Sequence, residues 1–162
     1  MGAVRKGGRQ IVFQCLKDKF NINISYTKNN VELWTVTSKD VYELLFKLKS
    51  LPEYSFDTLL NYTAIDKIDD NIFEIFYQIF SVSLNKNLLL KVEIQRERPE
   101  IPSISNLYKS ANFDEREMYD LFGITFIGHE NIRRILLPND WIGHPLRKDY
   151  QMHDERLEWN KR

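Results

Sequence analysis

The chain holds a single cysteine, Cys15, among 162 residues. One thiol cannot close an internal disulfide, build a zinc site of the paired-cysteine type, or supply the four thiolates of an iron–sulfur cluster. Net charge is also missing: 23 Lys and Arg balance 23 Asp and Glu. A general nucleic-acid binder would carry a basic excess. No uncharged apolar run approaches the roughly 18–20 residues of a transmembrane helix, and no secretory h-region is present. The glycine loops that cradle phosphates or dinucleotides are absent, as is the Gly-x-Ser-x-Gly nucleophile elbow. With one cysteine and no secretory segment, a reducing compartment is expected.

What is present is a globular composition, 43% hydrophobic and 28% charged, at a length that can bury a core without staples. The cations are unevenly chosen. Eight of the ten arginines lie from Arg96 onward, and ten of the thirteen lysines before it. The arginine fork pairs bidentately with carboxylates and tolerates partial burial. With Trp141, Tyr150 and Trp159 interspersed, the C-terminal third reads either as a docking surface or as ordinary surface arginine usage. At the other end, Met1 to Lys17 carries four basic residues and no acid, the composition of a transit peptide, although no removed leader is expected.

The periodicity predicts an α+β fold: a small mixed or antiparallel sheet covered by helices on one face, then a signature helix and an extended C-terminal tail. Residues 10–20 suit a short helix with Ile11, Cys15, Leu16 and Phe20 near one face. Asn21 to Tyr26 and Val31 to Val36 read as strands around a Lys28-Asn29-Asn30 turn. Ser38 is the expected N-cap of a helix that Pro52 stops. Phe56 to Asp66 is a mixed, short apolar segment; Ile72 to Val82 is a central strand, and an alternating strand follows the Asn85-Lys86-Asn87 turn. The sheet region spans 1–98, a connector and helix 99–123, and the tail 124–162. Asn112 and Glu115 form a capping-box pattern for that helix, and Gly123 is its expected left-handed end. Pro138, Gly143 and Pro145 forbid regular structure in the tail, so residues 138–150 are expected to be ordered only by a partner.

Three histidines, His129, His144 and His153, invite a metal reading, but their spacings match no one-face helical arrangement. The acids Asp114, Glu115, Glu117 and Asp120 could serve acid–base chemistry. No nucleophile or oxyanion feature accompanies them, so a structural ion-pair network is the stronger reading. In it Arg116 pairs with Asp120 at i, i+4, and Glu117, sharing a face with Phe113, is partly buried and needs Arg133 or Arg134.

These same residues carry a family resemblance. Glu115-Arg116-Glu117-Met118-Tyr119-Asp120-Leu121-Phe122-Gly123-Ile124, then His129, Arg133-Arg134-Ile135-Leu136 and Gly143-His144-Pro145-Leu146-Arg147-Lys148-Asp149-Tyr150, form the specific part. Phe56-Asp57-Thr58-Leu59, Ala64-Ile65-Asp66 and Phe73-Glu74-Ile75-Phe76-Tyr77 add to it. The sequence resembles the 30 kDa subunit of respiratory complex I, NADH:ubiquinone oxidoreductase, called subunit 9 when mitochondrially encoded and the C subunit in bacteria. The resemblance covers residues 55–150. Asn61 stands where the family commonly has an acid, and Glu130 where proline is usual.

The resemblance implies a structural subunit of the peripheral arm of a proton-pumping enzyme that moves electrons from NADH to quinone. It implies no catalytic residue, metal or cofactor in this chain, with FMN, iron–sulfur clusters and quinone in neighbouring subunits. The 49 kDa subunit is the implied partner. The implied interface and signature residues are Glu115, Arg116, Glu117, Asp120, His129, Arg133, Arg134, Trp141, His144, Pro145, Leu146, Arg147, Lys148, Asp149 and Tyr150. The expected place is the matrix side of the mitochondrial inner membrane, or the cytoplasmic face of a bacterial one. The alternatives are the same subunit in a photosynthetic NDH complex or membrane-bound hydrogenase, or a free-standing metal-dependent enzyme.

Overall fold

The structure is a computed structural model that describes residues 14–152. Ile11, His153 and Trp159 therefore lie outside the described residues. Residues 14–19 are helical. Strands β1 (Asn23–Tyr26) and β2 (Glu32–Val36) follow as an antiparallel hairpin. Helix α1 (Val41–Ser50) crosses to β3 (Thr58–Lys67), which pairs antiparallel with β4 (Ile72–Ser81), and β4 pairs antiparallel with β5 (Lys86–Gln95). The sheet closes where β2 lies parallel to β5, giving the order β1-β2-β5-β4-β3. A small second sheet joins β6 (Glu100–Pro102) in parallel to β7 (Thr125–Ile127), with helix α2 (Ala111–Phe122) between them.

Local chemistry accounts for most of these boundaries. Asn30, Asn71 and Asn85 sit at the strand connections with φ of +58°, +54° and +48°, a region that asparagine tolerates better than most residues. Leu51 adopts an extended conformation before Pro52 and ends α1. The start of α1 departs from the sequence expectation. Ser38 precedes the helix, Asp40 flanks its first turn without a capping hydrogen bond, and Asp40 instead accepts from Thr37 Oγ1 at 2.7 Å.

The segment expected to be mixed and short is a full edge strand, β3. Its polar outward residues Asn61 and Thr63 hide the strand pattern, and a bulge between Leu59 and Asn61 leaves Leu60 half-exposed. On its inner face Tyr62, Ala64 and Asp66 are buried in alternation. Near the start of the chain, Leu16 and Phe20 turn inward, but Cys15 is exposed rather than on their face.

Among the described residues one core runs from Leu16 to Phe126. Val41, Leu44, Leu45 and Leu48 of α1 join Trp34, Phe73, Ile75, Tyr77, Leu90 and Val92 on the inner face of the sheet. Ile101, Ile104, Tyr108, Met118 and Phe126, all beyond residue 98, belong to the same cluster. The end of β5 thus ends the large sheet without ending the core. Helix α2 packs against β3, the edge strand, and so carries the signature residues to the rim of the sheet.

Candidate partner interface

Helix α2 begins two residues earlier than the capping-box pattern predicts. Ser110 is its N-cap, without a side-chain capping bond, and Gly123 ends it in the left-handed region at φ +73°. Glu115 does not reach back to Asn112. It points into the core, where its Oε1 accepts the Ile104 N–H at 2.7 Å and its Oε2 accepts the Ser103 hydroxyl at 2.6 Å. Glu117, expected to be half-buried, is exposed, because the face shared with Phe113 is the outer one and Phe113 itself is 65% exposed.

Asp120 organises the first part of the tail. Its side chain is fully buried and takes Arg134 Nη1 at 2.6 Å, not Arg116 as the i, i+4 spacing suggests. Its Oδ2 also accepts the backbone N–H groups of Ile135, Leu136 and Leu137 at 2.8–3.0 Å. Burial opposes ionisation, but the amides of Leu137 and Leu136, Arg134 and the Ile135 amide together hold the carboxyl below its ordinary value. Arg134 then extends the network by donating Nη2 to the carbonyls of Trp141 and Gly143. Arg116 turns the other way and donates to the Arg133 carbonyl at 3.3 Å.

A second buried acid holds the end of the tail. Asp66 on β3 receives Arg96 through Nε at 2.7 Å and Nη2 at 3.1 Å, and accepts the Lys148 N–H at 2.8 Å. Burial again resists ionisation, and Arg96 with the Lys148 amide outweighs it, lowering the carboxyl. Arg96 also pairs with Asp149. Arg147 donates Nε to the Phe122 carbonyl at 2.6 Å, and its guanidinium lies 5.3 Å from the centre of the Phe73 ring. The Leu146 N–H donates to the Leu121 carbonyl at 3.0 Å.

Two glycines make this packing possible. A Cβ on Gly123 would stand 2.6 Å from the His144 ring, and one on Gly143 would stand 2.8 Å from Tyr150. His144 donates Nδ1–H to the Asp120 carbonyl at 2.9 Å, and burial lowers its basicity, which favours the neutral ring.

The tail therefore lies against its own sheet. The expectation that only a partner orders residues 138–150 is not met, because α2 offers free carbonyls at its end and Asp66 offers a buried carboxylate. The tail turns several apolar side chains outward: Leu136, Ile142, Leu146 and Met152 are 59%, 81%, 50% and 58% exposed. A groove of about 430 Å³ runs between Ile142, His144, Arg147, Asp149 and Tyr150.

Of the predicted residues, Asp120, Arg134, His144, Arg147 and Asp149 share this clasp, and Tyr150 backs Gly143. Glu115 and His129 lie together elsewhere, beneath α2. Glu117, Arg133, Leu146 and Lys148 face outward, Pro145 is half-buried, and Trp141 is half-buried with its indole N–H enclosed and unpartnered. The pairing of Asp66 with Arg96 escapes the sequence reading. Asp66 lies in phase with Tyr62 and Ala64, and an acid on an inward strand position signals a buried cation partner.

The sequence matches the family described as respiratory-chain NADH dehydrogenase, 30 Kd subunit, over residues 34–156. The C subunit of NADH-quinone oxidoreductase from Moorella thermoacetica is 37% identical over 126 residues, covering 78% of this chain and 84% of that protein. The C/D subunit from Buchnera aphidicola is 37% identical over 145 residues, and this chain spans only 25% of its length. Among solved structures, the Nqo5 trypsin-resistant fragment (1–134) superposes with a TM-score of 0.67 at 24% identity, covering 75% of this chain and 97% of the fragment. A chain of the archaeal membrane-bound sulfane sulfur reductase superposes with a TM-score of 0.75 at 24% identity, covering 96% and 89%. These two likenesses show the fold.

Proposed function

The chain belongs to the 30 kDa subunit family of respiratory-chain NADH dehydrogenase, and from that premise we propose that it is a structural subunit of the peripheral arm of complex I. On this reading it holds no catalytic residue, metal or cofactor of its own. Electrons pass from NADH to quinone through FMN and iron–sulfur clusters in neighbouring subunits, and this chain braces the 49 kDa subunit beside the quinone site. Its place is peripheral, on the matrix side of the mitochondrial inner membrane or the cytoplasmic face of a bacterial one. Among the described residues no helix is long and apolar enough to cross a membrane.

The observation that carries the reading is the tail. One side is pinned by two buried acids, and the other exposes Ile142, Leu146 and Met152, with Ile142 at the edge of a groove. Apolar anchors rimmed by Lys148 and Asp149 are the anatomy of a protein interface. The fused relatives named C/D support the choice of partner, since a unit like this chain there shares one polypeptide with further sequence.

Changing Ile142 and Leu146 together to Asp tests it. The double variant should keep the thermal stability of the free chain, because both side chains are half or more exposed, and should lose the complex on blue-native gels. Undiminished assembly would refute the tail as the docking surface.

A further inference from the structure

Beneath α2 lies a buried acid that the docking surface does not use. Glu115 is fully buried, and among the described residues no lysine or arginine forms an ion pair with it. The elements packed around it contribute hydroxyls, a backbone amide, an imidazole and a second acid. Tyr62 of β3 and Tyr77 of β4 face it with stacked rings 4.5 Å apart and hydroxyls 3.4 Å apart. Ser103 and the Ile104 amide reach it from the turn after β6. His129, after β7, brings Nε2 to 4.0 Å of Oε2, and Asp114 is its neighbour on α2. The imidazole accepts the Asn131 N–H at Nδ1, which leaves its own proton on Nε2, 3.3 Å from the Asn112 carbonyl. Burial pushes the Glu115 carboxyl up to about 7 against the pull of Ser103 and Ile104, with the charge of Asp114 adding to the rise.

The acid is buried, yet it is connected to the surface. Glu115 Oε2 is 2.6 Å from Ser103 Oγ, and Ser103 Oγ is 2.8 Å from Ser105 Oγ, a residue that is only half-buried. Each hydroxyl can donate or accept. We propose that Glu115 is an exchangeable proton-binding site in the core, filled from solvent through Ser105 and Ser103, whose protonated form spares α2 the cost of a buried charge. In the transfer the Ser103 O–H proton passes to Glu115 Oε2, the Ser105 proton replaces it on Ser103, and a solvent proton replaces that on Ser105. The relay ends with Glu115 donating to Ser103 and no group gained or lost except the one proton.

Carbon-13 NMR of glutamate carboxyls in the full-length chain tests the site. One carboxyl should titrate with a midpoint about 7, against 4.5 for an ordinary glutamate, and it should vanish in Glu115→Gln. A Glu115 midpoint in the ordinary range overturns the proposal. The pH dependence of thermal unfolding supplies a second readout. Folding raises this pKa, so the stability Glu115 contributes is present below about 4.5 and is lost as pH rises through about 7. The wild-type melting temperature should fall across that window, and Glu115→Gln should remove the fall. Ser105→Ala tests the route: the midpoint should stay and the carboxyl resonance should broaden as exchange slows. Unchanged exchange in Ser105→Ala refutes the relay, and the wild-type titration stands even if a variant fails to fold.

Discussion

Two acids three residues apart on α2, Glu117 and Asp120, behave oppositely, and the difference is one of helical phase. Placing Phe113 on the buried side puts Glu117 inward; the chain exposes both. A single aromatic is weak evidence for a face, since exposed apolar side chains are common on any protein surface. For Asp120 the i, i+4 spacing offers Arg116, whereas the fold supplies Arg134, and the three amides that complete its shell are not legible because backbone donors leave no trace in side-chain spacing. Asp120→Asn should destabilise the chain by roughly 3–5 kcal/mol, the cost of stranding one partner of a buried pair. Glu117→Gln should stay within about 0.5 kcal/mol, as exposed substitutions usually do. Urea titration of both variants compares them, and equal losses would contradict the assigned burial. Gly123→Ala adds a steric test, because its Cβ would press on the His144 ring at a φ of +73°. It should lower the melting temperature, and His144→Ala in the same chain should restore part of the loss.

At the scale of elements, punctuation is easier to read than exposure. The end of α2 at Gly123 and the asparagine turns follow from local φ preferences that hold wherever the chain goes. Strand β3 is harder to read, because its outer residues are polar and its inner ones include an acid that only Arg96, thirty residues away, makes tolerable. The tail misleads for a related reason: prolines exclude a ladder but not a set of single hydrogen bonds to a neighbouring helix end. The tail's other anchors are two ionised carboxylates, Asp120 and Asp66. Asp66 and Asp120 both have lowered values in the fold, so the stability they contribute is present above about 3.8 and is lost as pH falls through the folded values. Hydrogen exchange in increasingly acidic buffer should therefore deprotect the Leu146 and Lys148 amides before those of β4. Simultaneous loss would mean that the two acids do not hold the tail separately from the sheet.

At the scale of the whole molecule, the mixed sheet is expected from the sequence, but its one parallel pairing cannot be assigned to strands there. Periodicity reports which face of a strand is buried and says nothing about which strand lies beside it. That pairing sets Trp34 beside Leu90 and Val36 beside Val92. Both halves of the hairpin β3–β4 and of β4–β5 are close in the chain, so their loops close at small entropic cost. The β1–β2 hairpin has to wait for a segment more than fifty residues downstream. On a ribosome adding about 5–20 residues per second, Trp34 is thus made several seconds before the strand that shelters it. During that interval the hairpin has no sheet to join, and its apolar face is open to chaperones or to premature pairing. Slowed translation between residues 40 and 86 would lengthen the exposure, while mutations that loosen β4–β5 would prolong it after release.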